Sequence, residues 1–330
     1  MDKQNIRWGI LATGGIARLQ TADLITNGSR VEAVGSRSLS SAEKFGDEFN
    51  IPYRYGSYEE LCDSPEVDVI YIATPHTFHY ENAMMALEKG KHLLVEKAFT
   101  INSRQAEEII NLAQKKNLFV MEAMWTRFLP SMQRIKEIVS SGGIGELRLI
   151  LADHDQYIPM EKARRLHDPA LGGGALLDLG IYVISLADFM LGEPEKMSVE
   201  GTMTDLGVDE MTAMLFRYAN GAQAVLHCGF MTPGSNKAVL VGTKGRIEID
   251  PVWYTQTSFT HLDADGRVIE RYEDTIKGRG MQYQAQEVES CLAAGKTDSS
   301  VMPLAGTLSI MKTMDRIRDE INLVYPEEKE

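Results

Sequence analysis

The chain has 330 residues, 44% hydrophobic and 25% charged, enough for about two domains. That composition excludes a disordered, collagen-like or coiled-coil chain. With 47 acidic and 34 basic residues the formal net charge is −13, so there is no basic footprint for a nucleic-acid partner. Small substrates stay open, because a local basic pocket fits in an acidic protein.

The first third alternates strand and helix patterns. Ile6–Ala12 is an apolar run that ends in Thr13-Gly14-Gly15, and Ile16–Thr26 follows as a helix stopped near Asn27-Gly28. Val31–Ser36 is a second strand. Val67–Ala73 is β-branched and nearly continuous, as expected of a strand buried on both faces. Tyr80–Lys89 and Ser103–Lys116 carry apolar residues at helical spacing, with Gly90 stopping the first. His92–Val95 and Leu118–Met121 are further strands. Strands separated by helices predict βαβ units and a parallel sheet.

Beyond a boundary near residue 125 the pattern changes. Leu147–Asp153 is a strand. Three turn signals then sit between alternating runs: Asn220-Gly221, Thr243-Lys244 and Asp265-Gly266. They predict an antiparallel sheet. Helical spacing returns at Tyr283–Ala293 and Leu304–Leu323, and the terminal PEEKE is expected to fray.

No uninterrupted run of about 18 apolar residues occurs, and MDKQNIRWGILATGG lacks a signal core. Cys62, Cys228 and Cys291 are isolated, as in a reducing compartment. These features predict a soluble, cytoplasmic protein without a membrane partner.

Five segments carry chemistry. At Ala12-Thr13-Gly14-Gly15-Ile16-Ala17 a strand enters a helix through small residues, so backbone N–H groups can approach a pyrophosphate. Ala12 and Ala17 stand where the full GxGxxG pattern has glycine, and a tight turn without ligand is the alternative. The second strand ends in Gly35-Ser36-Arg37-Ser38, with no carboxylate to grip a ribose hydroxyl or repel a 2′-phosphate. Ser36 and Ser38 can donate, and Arg37 can pair with phosphate, which favours NADP over NAD. The alternative is a solvated arginine. Thr74-Pro75-His76, with His79, follows a buried strand at the ligand-binding edge; Thr74-Pro75 would wall the cofactor, or the segment is a Pro-fixed turn at a helix start. Glu96-Lys97 follows the strand His92–Val95. Its lysine can assist proton transfer at a substrate hydroxyl, or the pair is a surface ion pair. Finally, Gly172-Gly173-Gly174 opens an apolar helix in which Asp178 and Tyr182 are spaced i, i+4. These two either join Lys97 in proton transfer or satisfy each other in the core. Trp125 and Arg127 line a pocket or pack the domain junction. The pairs His154-Asp155 and His167-Asp168 match no metal-site spacing.

In this order and spacing, the segments resemble the glucose–fructose oxidoreductase/inositol dehydrogenase (Gfo/Idh/MocA) family over essentially the whole chain. MEAMWTRFLP at 121–130, Tyr182 after DLGI, and the ending from EVESCLAAGK to MKTMDRIR are similar to its dihydrodiol dehydrogenase branch, which includes NADP-dependent D-xylose dehydrogenases. The resemblance implies an α/β protein: a doubly wound parallel Rossmann sheet at residues 1–124, binding NADP, and an α+β domain with a large, mostly antiparallel open sheet at 125–330, binding substrate. That sheet commonly forms a homodimer or homotetramer interface. No metal is implied. The family's Glu-Lys-Pro is here Glu96-Lys97-Ala98, and Tyr182 replaces the histidine of many members, as in the dihydrodiol branch.

The expected activity is hydride transfer between the nicotinamide and a carbinol carbon of a sugar or cyclic trans-diol. Tyr182, Lys97 and Asp178 would handle the proton, with Trp125, Arg127 and Arg165 in the substrate pocket. Two rival readings keep the fold: a non-catalytic NADP(H)-binding regulator or sensor, and an enzyme that holds and internally recycles its cofactor. A sensor needs no Lys–Asp–Tyr set.

Overall fold

The computed structural model describes residues 6–328. The chain forms two compact units: one takes the chain up to Trp125 together with Gly278–Leu308, the other Thr126–Lys277 together with the chain from Ser309.

The first unit begins with β1 (Arg7–Leu11), α1 (Gly15–Asn27), β2 (Arg30–Gly35), α2 (Leu39–Phe49), β3 (Tyr53–Tyr55) and α3 (Tyr58–Asp63). It continues with β4 (Val69–Ile72), α4 (His79–Glu88), β5 (His92–Glu96), α5 (Ser103–Lys116) and β6 (Val120–Ala123). The six strands lie in the order β3-β2-β1-β4-β5-β6, and every pair is parallel. All four residues of β4 are buried, as a strand covered on both faces requires.

Helix α5 illustrates how local sequence sets an element. Asn102 Oδ1 accepts the Gln105 N–H at 3.0 Å, which satisfies one of the orphan amides of the first turn. Ala106, Ile109 and Ala113 form the buried stripe, Lys115 and Lys116 sit in the last turn, and Asn117 closes the helix in the left-handed region. Cations there suit the negative end of the helix dipole.

Sequence spacing passed over α2, β3 and α3. The two helices are marked by single serine caps: Ser38 and Ser57 accept the amides of Ser41 and Glu60.

The segment Gly278–Leu308 was expected in the C-terminal domain and instead belongs to the first unit. Side chains distant in sequence hold it there. The indole N–H of buried Trp8 donates to Glu289 Oε1 at 3.0 Å. Asp23 Oδ2 accepts the Met281 N–H at 2.9 Å, and Gln284 Nε2 donates to Gln20 Oε1 at 2.8 Å. Buried donors and acceptors of this kind are costly to leave unpaired.

The second unit contains α6 (Pro130–Ser140), β7 (Leu147–Asp155), a π-helical turn at Leu176–Gly180 and α7 (Ile181–Leu191). Its remaining strands are β8 (Lys196–Met203), β9 (Asp209–Arg217), β10 (Gln223–Gly229), β11 (Ala238–Gly242), β12 (Gly245–Ile249), β13 (Phe259–Asp263) and β14 (Val268–Tyr272). The eight strands run β14-β13-β12-β11-β7-β10-β9-β8. Only β7 and β10 pair in parallel. The three predicted hairpins are the antiparallel pairs β9–β10, β11–β12 and β13–β14.

Burial alternates along the central strands with the two-residue period of a sheet covered on one face. Ile150, Ala224 and Met214 are buried, while Leu151, Val225 and Leu215, which neighbour one another across β7, β10 and β9, are 40%, 46% and 44% exposed.

The stretch Pro169–Leu191 is long and apolar enough on average to cross a membrane by length and composition, although Asp178 and Asp188 interrupt it. Most of it is buried inside the protein, as in a core helix. Of the terminal PEEKE expected to fray, the last two residues lie outside the described ones, and the chain up to Glu328 is held. Tyr325 Oη donates to the Gly173 carbonyl at 2.7 Å, and Arg318 forms hydrogen bonds with both Glu328 oxygens at 2.7 and 2.9 Å.

Candidate active site

In an open parallel sheet, ligands bind outside the carboxyl ends of the strands where the strand order reverses. That point lies between β1 and β4. The Ala73 N–H donates to the Leu11 carbonyl at 3.0 Å, and the Ala12 N–H to the Gly35 carbonyl at 3.0 Å. These bonds align the turns after β1, β2 and β4 on one edge.

The turn after β1 fits a dinucleotide phosphate. Gly14 caps α1 without a side-chain hydrogen bond, and no acidic residue lies in the first turn. The amides of Gly15 and Ile16 therefore have no carboxylate competing for them. A Cβ on Gly14 or Gly15 would meet no atom within 4 Å, so there is room for a ligand. Ala17, at the last fingerprint position, is fully buried. Ala12, at the first, has φ of +88°, a conformation that normally calls for glycine.

At the end of β2, Ser36 is buried and its Oγ is 3.5 Å from Thr13 Oγ1, so the first two predicted segments meet. Arg37 is exposed. Ser38 is the N-cap of α2: its Oγ accepts the Ser41 N–H at 3.3 Å and donates to Ser41 Oγ at 2.8 Å. The first turn of α2 has no acidic residue, which leaves Arg37 and Ser40 as exposed polar groups at that helix start, with Ser41 half-buried.

After β4, Pro75 starts the 3₁₀ turn His76–Phe78. His76 is buried and lies edge-on to His79, with ring centroids 5.7 Å apart. His79 is fully buried, with Nε2 2.8 Å from the Thr74 carbonyl and Nδ1 2.9 Å from the Ala98 carbonyl. Burial lowers its pKa, against the opposing pull of those carbonyls, and Lys97 adds to the lowering. The ring is held neutral, so it donates to one of the two carbonyls, and it packs between the turn after β4 and the one after β5. His79 is thus placed as a brace of the site, whereas the sequence reading counted it among cofactor ligands.

The turn after β5 is held from three sides. Tyr71 Oη donates to Glu96, the Phe99 N–H donates to Glu122 Oε1 at 3.2 Å, and His79 meets Ala98. Glu96 is buried and Lys97 half-buried, so this pair is not a surface ion pair. The Lys97–Ala98 peptide bond is cis. Trp125, also in the first unit, is buried under the Arg279 guanidinium, 5.9 Å from its ring.

The second unit holds Asp178 and Tyr182. The single α-helix expected over both is split: Asp178 lies in the π-helical turn and Tyr182 in α7. Such wide turns break the i, i+4 register on which a shared face was predicted, and they recur at functional sites. Asp178 Oδ1 and Oδ2 accept from Arg165 Nη2 at 3.0 and 3.1 Å. Two candidates picked out separately in the sequence are thereby brought together.

The Tyr182 ring lies edge-on to His154 at 4.9 Å and tilted against Tyr254 at 5.4 Å. His154 and Tyr254 stack at 3.6 Å. Gln156 Nε2 donates to His154 Nε2 at 2.9 Å and to the Tyr254 hydroxyl at 3.2 Å. The amide can only donate at that atom, so His154 Nε2 accepts. This aromatic group was missed. Its one signal is the i, i+2 spacing of His154, near the end of β7, and Gln156, just past it, while Tyr254 is distant in sequence. Arg127 does not line an open pocket. It is buried, with Nε on Ser185 Oγ at 2.8 Å and Nη2 on the Ser185 carbonyl and Asp188 at 2.9 and 2.8 Å. Packing within the second unit accounts for it. Among the described residues, no group of three His, Cys, Asp or Glu is arranged to hold a metal.

Residues 6–124 match the oxidoreductase family with an NAD-binding Rossmann fold, and residues 132–248 match the GFO/IDH/MocA C-terminal domain. The chain belongs to the GFO/IDH/MocA oxidoreductase family. It is 34% identical to the trans-1,2-dihydrobenzene-1,2-diol dehydrogenase of Mus musculus, covering 98% of this chain and 99% of that one. Two solved structures share the fold. One is an aldose-aldose oxidoreductase from Caulobacter crescentus (TM-score 0.86, 23% identity, 96% and 98% coverage). The other is a 3-ketoreductase from Actinomadura kijaniata in complex with NADP and TDP-benzene (TM-score 0.84, 24% identity, 96% and 98% coverage).

In this family member the strained fingerprint position gives a direct test. A left-handed alanine costs about 1–2 kcal/mol, and glycine's extra unfolded-state freedom costs about 0.5–1 kcal/mol. Ala12→Gly should therefore be neutral or stabilising by up to about 1.5 kcal/mol in urea unfolding. A clear loss of stability would contradict the strain.

Proposed function

We propose that this chain is an NADP-dependent dehydrogenase acting at a carbinol carbon of a sugar or cyclic trans-diol. The first unit would bind the cofactor. The second would contribute Asp178, Tyr182 and Arg165 to substrate chemistry. The observation that carries the cofactor preference is the end of β2, where exposed Arg37 and the acid-free start of α2 stand in place of a carboxylate. A guanidinium pairs with a phosphate dianion that a carboxylate would repel. Backbone amides at Gly14, Gly15 and Ile16, beside Thr13, suit the pyrophosphate. Thr74, Pro75 and His76 would wall the same edge, with Glu96 behind it.

When bound, the dinucleotide supplies the nicotinamide that accepts or returns the hydride. The chain's own residues handle the proton. Tyr182 would exchange it with the substrate hydroxyl with support from Asp178, and Lys97 would assist, since a cation favours a deprotonated oxygen. Arg165, paired with Asp178, has exposed donors left for substrate oxygens, and Trp125 offers an aromatic wall. The dihydrodiol dehydrogenases at 34% identity support the diol half of the substrate class. The three free, buried cysteines suit a reducing, cytoplasmic setting.

The apolar row Leu151, Val225 and Leu215 supports self-association of the open sheet as a homodimer or homotetramer. Sedimentation equilibrium should give a dimer or tetramer, and Val225→Arg should shift it to monomers; a monomeric wild type would end this reading.

Two further outcomes test the function. Arg37→Ala should weaken NADPH binding about tenfold to a hundredfold, the loss of a charge-assisted contact, with NADH binding unchanged by nicotinamide fluorescence. Equal binding of both cofactors by the wild type would restore NAD as the candidate. Lys97→Met should lower kcat at least about a hundredfold, measured on sugars and diols. Near wild-type turnover would remove Lys97 from the chemistry.

A further inference from the structure

The turn that leads into the Asp178–Tyr182 segment is held by a buried carboxylate with no assigned role. Asp209 opens β9 and is 0% exposed. Its Oδ2 accepts the Leu176 N–H at 2.8 Å and the Thr212 hydroxyl at 3.0 Å. Leu176 begins the π-helical turn, so its amide is among the first N–H groups of a helical run, which lack partners within it.

The other carboxylate oxygen faces Gly174. A Cβ at Gly174 would come within 2.2 Å of Asp209 Oδ1, and the residue has φ of +113°. Only glycine suits that place, both for its backbone and for the space the carboxylate leaves. One residue earlier, the Gly173 carbonyl accepts from Tyr325 Oη at 2.7 Å. A Cβ at Gly173 would come within 2.6 Å of the Leu166 carbonyl and 2.8 Å of the Arg165 carbonyl. The Gly172–Gly174 turn is therefore closely enclosed, and the carboxylate fixes the residue at which the helical run starts.

We propose that Asp209 is a positioning residue for Asp178 and Tyr182, holding the start of the helical run so that both side chains take one fixed placement. This rests on the reading of those two residues as proton-transfer groups. A shift of about an ångström in such groups is enough to cost large factors in rate.

Burial pushes the Asp209 carboxyl up to about 7, against the hydrogen bonds from Thr212 and the Leu176 amide. The titratable groups facing it are Cys228 on β10 and Tyr325 at the chain end, both held well above their ordinary values by burial. Arg318 lies over the Tyr325 ring, 5.3 Å from its centroid. With a raised native value, Asp209 contributes stability that is full below its ordinary value of 3.8 and lost as the pH rises through about 7, because the native state holds the proton longer than the unfolded chain.

The test compares Asp209→Asn and Asp209→Ala in the full chain. Asparagine keeps an acceptor for Leu176 and Thr212; alanine removes it. In Asp209→Ala we expect faster amide hydrogen exchange confined to Leu176–Tyr182. Its kcat should fall roughly tenfold to a hundredfold, with NADPH affinity unchanged. Asp209→Asn should restore exchange protection and most of the turnover, and it should lack any inflection of kcat near pH 7 seen in the wild type.

Wild-type exchange and turnover in Asp209→Ala would overturn the proposal. So would an equal loss of protection across the whole second unit in both variants, which marks a residue of the fold alone. If Asp209→Ala does not fold, wild-type pH dependence retained in Asp209→Asn would overturn it. If the wild type turns over no sugar or diol, the exchange experiment still decides the positioning role, while the proton-transfer reading alone fails.

Discussion

The ligand-binding edge of the first unit depends on one buried imidazole. His79 lies between the carbonyls of Thr74 and Ala98, which belong to the turns after two adjacent parallel strands. Backbone carbonyls buried at such turns must find a donor, and water is excluded there. A neutral ring has a single N–H and supplies that donor to one of the two carbonyls without bringing in a charge. It also removes the freedom of the two turns to move apart, and Lys97 occupies the second of them. Glu122, bound to the Phe99 amide, and Tyr71, bound to Glu96, extend the same framework. The half-buried lysine is thus carried on a turn whose neighbours are all fixed by polar contacts.

The second unit solves a similar problem by other means. Three adjacent glycines let the chain pass close to the carbonyls of Arg165 and Leu166. The helix that follows is apolar almost throughout, so its few polar side chains need dedicated partners. Asp178 has Arg165, and the Tyr182 ring is enclosed by His154 and Tyr254. Gln156, just past the end of β7, then fixes which nitrogen of His154 accepts. The chemistry-bearing side chains of this unit are set by a layer of contacts behind them.

Much of this was legible in the sequence where the signal is local. Helix α5 was predicted at its observed bounds, because its cap, stripe and stop all lie within its own residues. The hairpins followed from two-residue turns that suit few other structures. The segments of Thr13 and Ser36 were each singled out from a strand–turn–helix pattern, but their contact was not. What stayed hidden depends on partners far along the chain. Glu289 meets Trp8 across the length of the protein, and nothing near either residue announces it. Arg127 looks like a pocket residue until Ser185 and Asp188 are beside it. The π-helical turn has no compositional mark, and its effect on the Asp178–Tyr182 spacing is a matter of backbone path. Ala12 is the reverse case: the local rule asks for glycine, and the sheet around it imposes glycine's conformation on an alanine.

The discontinuity of the first unit bears on how the protein is made. Trp8 and Asp23 emerge from the ribosome early, yet the residues that satisfy them, Glu289 and Met281, follow only after the main body of the second unit has been synthesised. Until then the nascent Rossmann sheet has an unfinished flank, with a buried-type indole and a carboxylate still open to solvent. Chains in this state are prone to non-native association. The order of translation thus leaves the Rossmann fold to be completed only after the main body of the second unit has been made, although its fingerprint precedes that unit.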